Sequence, residues 1–277
     1  MVFVRILSLL SKLIGFFNLS IIKRTTLEKL IIQDNLAVRR EQDINFLFKF
    51  RKFDIEGILD NFKQSKSQLR QDLFVLALFD FKRSGYFVEF GATDGVSDSN
   101  TYLLEKKFAW NGILSEPARC WEFKLKSNRN VNIDNSCVWS KSNEEIEFLE
   151  SKFPAYSTIN QYANVDMHAS RRRDHAKNYS VKTISLLDLL NKYMAPHDID
   201  FLSIDTEGSE FEILNAFDFT KYYIKVIVCE HNFSSNRSKI YDLLTHHGYQ
   251  RVLEECSYFD DWYVREEVLE LNKSRLS

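Results

Sequence analysis

The stretch that most constrains this chain is Gly85-Tyr-Phe-Val-Glu-Phe-Gly-Ala-Thr-Asp-Gly-Val96. Residues 86–90 form an apolar, β-rich run of the kind that becomes a strand buried on both faces. Gly91 and Gly95 follow, and a polar segment leads into residues 102–107, which have helical composition and spacing. Strand, glycine turn and helix together bring a ligand against bare backbone and the positive end of a helix. A dinucleotide fold spends its glycines on a pyrophosphate in the pattern G-x-G-x-x-G. Here the pattern is E-x-G-x-x-x-G, and the Glu89 carboxylate stands where a diphosphate would be repelled. An acid at that place suits a ligand carrying an ammonium group, as S-adenosylmethionine does.

A second acid strengthens this reading. Residues 113–115 form a short strand ending at Glu116, 21 positions beyond Gly95. An acid about 20 residues past the glycines, at the tip of the second strand, is placed to hold a ribose diol. Residues 131–133 and 135–139 are expected to supply the third strand and the turn beneath an adenine ring, with Cys137 and Val138 in that turn. Residues 144–149 read as a strand outside the main sheet. Residues 151–180 lack periodicity and read as an insertion that could cover a substrate; its Arg171, Arg172 and Arg173 suit an acidic acceptor or a solvated helix face. Residues 181–193 are rich in leucine and read as a helix. Residues 198–205 and 226–230 read as buried strands, and two further strands close the chain as a hairpin.

Asp205, Glu207, Glu230, His231 and Asn232 therefore fall at the carboxyl ends of adjacent strands, where open α/β sheets bind ligands. His231 titrates nearest neutrality and is the first choice of general base, with Asp205 and Glu207 beside it. The alternative for His231 is a buried backbone partner. Asp205, Glu230 and Asn232 would also offer oxygen ligands to Mg²⁺, although Glu207 and Glu210 suit a helix N-terminus equally; metal dependence stays open, with the metal-free reading favoured.

The net charge of −2 gives no argument for nucleic-acid binding. The four cysteines lack metal-ligand spacing and suit a reducing compartment, so the expected location is cytoplasmic. Residues 2–22 form an apolar helix with one polar stripe at Arg5, Ser8, Ser11, Lys12, Gly15 and Asn18. The stripe argues against a membrane span. The helix docks on protein, or it makes a peripheral contact at the inner membrane face. No linker separates the charged helical residues that follow from the α/β region, so residues 1–66 read as an N-terminal helical extension and residues 67–277 as one domain.

The motifs at 67–72, 87–95, 99–105, 112–117, 199–210 and 228–232, in this order, resemble the FkbM family of S-adenosylmethionine-dependent methyltransferases. The resemblance implies a class I methyltransferase (Rossmann-like) α/β fold, a seven-stranded mainly parallel sheet with helices on both faces. It implies that Glu89, Gly91 and Gly95 hold the methionine part, with Ala92 and Asp94 in the same turn. Asn100 and Thr101 would face the cofactor's polar end, and Glu116 with Pro117 the ribose. It implies O-methylation of a hydroxyl on a sugar, glycan or secondary metabolite; an inactive scaffold tethered by the N-terminal helix is the alternative, and a homo-oligomer stays open. Thr93 stands where many relatives carry Asn.

Overall fold

A computed structural model describes residues 24–164, 172 and 176–276, with side-chain environments from residue 37 onward. The apolar helix expected at 2–22 lies outside the described residues, as do His168, Arg171, Arg173 and His175. The chain divides into two compact units, Met1–Phe48 and Lys49–Ser277. Helix α1 (Arg24–Lys49) supplies the described part of the first. Residues 49–66, assigned by sequence to the extension, belong to the second unit. There α2 (Ile55–Phe62) is capped by the Asp54 carboxylate, which accepts from the Gly57 amide. Phe50 packs edge-on to Phe74, in α3 (Gln71–Leu78).

The second unit is built on a seven-stranded sheet. Its strands are β1 (Tyr86–Phe90), β2 (Asn111–Ser115), β3 (Asn132–Asp134), β8 (Asp198–Ile204), β9 (Tyr223–Glu230), β10 (Tyr249–Val252) and β11 (Asp260–Arg265), in the order β10-β11-β9-β8-β1-β2-β3. The five from β3 to β9 run parallel. β11 pairs antiparallel with both β9 and β10, so the sheet is mixed. Val88 and Phe90 join one apolar cluster with leucines of α6 (Leu186–Lys192), Ile213 and Leu214 of α7 (Glu210–Asn215), and Ile240 and Leu244 of α8 (Asn236–His246). Alternation along β11 sends Trp262 to the other face, where it stacks on Phe74 of α3 at 4.5 Å. Helical residues therefore cover both faces.

A second, four-stranded sheet holds β4 (Cys137–Trp139), β5 (Glu145–Glu150), β6 (Thr158–Ile159) and β7 (Lys177–Ser185), in the order β4-β7-β5-β6. This corrects two expectations. Cys137–Trp139, expected in the turn after the third strand, is itself a strand, because it pairs with β7. Residues 181–185 are not helical: β7 runs through them, pairing antiparallel with β5 as far as Lys182 and parallel with β4 from Thr183 to Ser185, and the helix begins at Leu186. Val181, Thr183 and Ile184 are β-branched and fit a pleated ladder better than a helix. The leucines that suggested a helix begin only at 186.

Among the described residues no helix is long and apolar enough to cross a membrane. The cysteines are free; Cys137, Cys229 and Cys256 are buried and Cys120 is exposed.

Candidate active site

The site lies where β1, β2, β8 and β9 end and their loops meet. Gly91 follows β1 with φ of +73°, and a Cβ built on it would lie 2.0 Å from the backbone oxygen of Asp205. Only glycine allows the ends of β1 and β8 to approach this closely. Gly95, with φ of +77°, sits against the Arg129 and Leu125 side chains. Ala92 is buried, and Asp94 closes the turn by accepting from the Val96 and Ser97 amides and the Ser97 hydroxyl. These bonds hold the Asp94 carboxyl below its usual range in spite of partial burial.

Glu116 joins the glycine turn to the tip of β2. One carboxylate oxygen accepts from the Thr93 amide and the other from the Ala118 amide, both at 2.8 Å. Thr93 thus contributes its backbone to this bond, a contact indifferent to side-chain identity. Burial pushes Glu116 up to about 7, against those two hydrogen bonds. Two bonds use about half of the acceptor capacity of a carboxylate.

Glu89 is committed inside the protein. It accepts from the Ser99 hydroxyl at 3.0 Å, the Asn100 amide at 2.7 Å and the Thr101 hydroxyl at 2.6 Å. Thr101 is fully buried by this bond and by the Arg129 guanidinium. Asn100 differs: its side-chain amide donates to the Ser203 hydroxyl at 2.9 Å, while its Oδ1 is buried with no hydrogen-bond partner among the described residues. The Cys137 and Val138 side chains lie in the two apolar clusters, and burial pushes the Cys137 thiol up to about 12. Half-buried Pro117 follows Glu116.

The acids at the ends of β8 and β9 come together as expected. Single carboxylate oxygens of Asp205, Glu207 and Glu230 lie within 4.8 Å of one another. Burial, and then the like charges around them, hold Asp205 and Glu230 well above the usual carboxylate range, while a hydrogen bond between the two opposes the rise at Asp205. Two carboxyls so placed share a proton. Glu207, at φ of +58°, is already paired with the buried Arg172 guanidinium at 2.8 Å. The trio has the oxygen donors a divalent cation takes, but Arg172 already supplies one positive charge to it. Glu210 is the one that caps, accepting from the Thr206 and Gly208 amides and the Thr206 hydroxyl.

His231 is buried with both ring nitrogens occupied. Nε2 faces the Asp260 carbonyl at 3.1 Å, and Nδ1 accepts from the Phe233 amide at 3.0 Å. That pattern needs a neutral ring protonated on Nε2. Burial, the larger effect, lowers its pKa. Sequence reading missed four contributors: Arg129, Ser203, Arg172 as the partner of Glu207, and Gln71, whose side chain donates to Asp260 at 2.7 Å. Asp260 is itself pushed up to about 8, chiefly by burial. A small pocket opens beside these groups, lined by Gly208, Glu210, Glu230, His231, Asn232, Ser234 and Asn236.

No curated protein matches the chain. Among solved structures it is similar to a methyltransferase FkbM from Methylobacillus flagellatus KT, at 14% identity and a TM-score of 0.40, covering 65% of this chain and 43% of that one. The chain thus spans less than half the length of that protein. A precorrin-6y C5,15-methyltransferase from Geobacter metallireducens GS-15 is similar at 12% identity and a TM-score of 0.38, over 70% of this chain and 85% of that one. The family model of the methyltransferase FkbM domain matches residues 89–251, from the strand that opens the glycine turn to the first strand of the closing hairpin. That match takes in Glu89, Glu116, Asp205 and Glu230 and more than half of the 277 residues. The chain belongs to the FkbM methyltransferase family.

Proposed function

We propose that the chain is an S-adenosylmethionine-dependent O-methyltransferase acting on a hydroxyl of a sugar, glycan or secondary metabolite. The observation that supports the cofactor is the sign of the unused hydrogen-bonding capacity: Asn100 Oδ1 is a buried acceptor with no partner, and Glu116 has acceptor capacity to spare. Such a site calls for a ligand that brings donors, and an ammonium group and a ribose diol bring them. The cofactor, when bound, supplies a methyl group on a sulfonium for in-line displacement. Gly91 lets the ends of β1 and β8 meet and Gly95 lets the turn close on Arg129, Asn100 receives the ammonium, and Glu116 receives the ribose hydroxyls.

The chain must also take the proton that the acceptor hydroxyl loses. Asp205, with Glu230 beside it, is better suited than His231, because burial raises it to about 7, in the range in which a base works at neutral pH, and His231 has no ring nitrogen to spare. In this reading His231 holds the backbone at 233 and 260, and Arg172 pairs with Glu207 beside the two acids. The chain acts in the cytoplasm, with residues 2–22 docked on protein or in peripheral contact with the inner membrane face.

Calorimetric titration with S-adenosylhomocysteine tests the cofactor. Saturable binding with one site per chain is expected, and folded protein that takes up none at millimolar ligand refutes the reading. Mass spectrometry of glycans and lipid-linked sugars incubated with enzyme and cofactor tests the acceptor.

A further inference from the structure

We infer that Arg129 is a positioning residue for cofactor binding: its guanidinium fixes the loop that carries Gly95 and Asn100. The inference rests on the cofactor reading above and deepens it. Arg129 follows α5 (Glu122–Asn128) and its side chain is wholly buried. Nη1 donates to the Gly95 carbonyl and the Ser99 hydroxyl, both at 3.1 Å, and Nη2 donates to the Thr101 hydroxyl at 2.8 Å. Nε donates to Glu105, in α4 (Tyr102–Phe108), so the far side of the guanidinium is anchored to a helix. The Glu89 carboxylate stands 3.6 Å from Nη1, and the Phe87 and Tyr102 rings lie beside the guanidinium carbon.

The consequence falls on Asn100. The residues on either side of it, Ser99 and Thr101, are both gripped by Arg129 and by Glu89. Asn100's own amide is held by Glu89, and its side chain by Ser203. Its unpartnered Oδ1 therefore has a direction set by groups that do not touch the ligand. Three loop contacts from one rigid planar fork are beyond a lysine, whose ammonium is a single point with flexible reach.

The test measures affinity for S-adenosylhomocysteine by calorimetry, with thermal unfolding recorded for every variant. Arg129→Lys keeps the charge and loses the fork. Thr101→Val removes, at nearly constant volume, the hydroxyl that accepts from Arg129 and donates to Glu89, so the test does not depend on a buried arginine being replaceable. Glu105→Gln weakens the same guanidinium on the side away from the loop and serves as the control for lost stability. Arg129→Lys and Thr101→Val are expected to raise Kd roughly 10- to 100-fold, the scale of losing a supporting hydrogen bond to a charged group. Glu105→Gln is expected to raise Kd less than either, because its amide oxygen can still accept from Nε and all three loop contacts stay in place, even where its Tm falls as far. Affinity that simply follows Tm across the three variants, or is unchanged in Thr101→Val, overturns the positioning role. Wild-type protein that binds no S-adenosylhomocysteine removes the cofactor reading, and this proposal with it.

Discussion

Replacing Gly91 by alanine should be far more damaging than a single methyl group suggests, and the structure separates the two causes. The first is conformational: φ at Gly91 is +73°, a region that costs an ordinary L-residue about 1–2 kcal/mol. The second is contact. The new Cβ would stand 2.0 Å from the Asp205 backbone oxygen, and ordinary contact begins at 3.4 Å, so the ends of β1 and β8 must part by the difference, 1.4 Å. Overpacking against fixed backbone typically adds about 1–3 kcal/mol, which brings the total to roughly 2–5 kcal/mol. Gly248 supplies the comparison: its φ is +79°, but a Cβ there meets only the end of the Arg265 side chain at 3.5 Å. Gly248→Ala should therefore show the conformational cost alone. Urea unfolding of both variants measures the difference, and titration with S-adenosylhomocysteine measures its functional cost. A shift of this size at Asp205 also moves its carboxyl relative to Glu230, so Gly91→Ala should lose ligand binding while Gly248→Ala keeps it. Equal destabilisation by the two substitutions would show that the strand ends are not held in contact as described, and would refute the argument.

Raised carboxyl groups give stability a predictable pH dependence. Glu116 moves from 4.5 to about 7 and Asp260 from 3.8 to about 8 on folding, so between those values the native state holds protons that the unfolded chain has released. Stability is therefore greatest near the lower end and falls as pH rises through 7 and 8, by at most about 1.4 kcal/mol per pH unit for each group; Tm that rises from pH 5 to 8 contradicts this. Arg172→Met removes the buried guanidinium paired with Glu207 and should cost about 3–5 kcal/mol; a double-mutant cycle with Glu207→Gln that shows no coupling rejects the pair's importance. Asp205→Asn should lower kcat about 10²- to 10⁴-fold if the acid pair takes the acceptor proton. His231→Asn should instead lower Tm more than kcat, and the reverse ranking would return the base to His231.

Parts of the fold were legible in the sequence because their signals are local. A continuous apolar run reads as a buried strand whatever surrounds it, and the glycines that follow β1 mark a turn for the same reason. The second sheet was not legible. Val181 becomes strand because it pairs with Ile146 of β5, and Thr183 and Ile184 because they pair with Cys137 and Val138 of β4, which is strand for the same reason. Such pairings join residues some 40 positions apart, and no local periodicity reports them. The leucines at 186, 187, 189 and 190 lent their helical signal to the preceding strand, since a boundary carries less information than the element it bounds.

At the site, residue type alone could not tell which polar groups are spent and which are available. Glu89 and Glu116 both end strands beside the glycine turn. Yet Glu89 accepts from three groups of the next loop and faces the Arg129 guanidinium, whereas Glu116 accepts from two amides and keeps capacity. Asn100 and Thr101 are neighbours on one loop, and only Asn100 retains an unpartnered atom. His231 was attractive because an imidazole titrates near neutrality, but both of its nitrogens are occupied by backbone. Burial raises Asp205 to about 7, and burial and the Asp205 charge raise Glu230, which residue type does not reveal. Chemistry at this site therefore depends on what each carboxyl, amide and ring has left after the protein's own bonds are made. Arg129 and Arg172 largely determine that remainder, one by holding the loop that carries Asn100 and the other by pairing with Glu207.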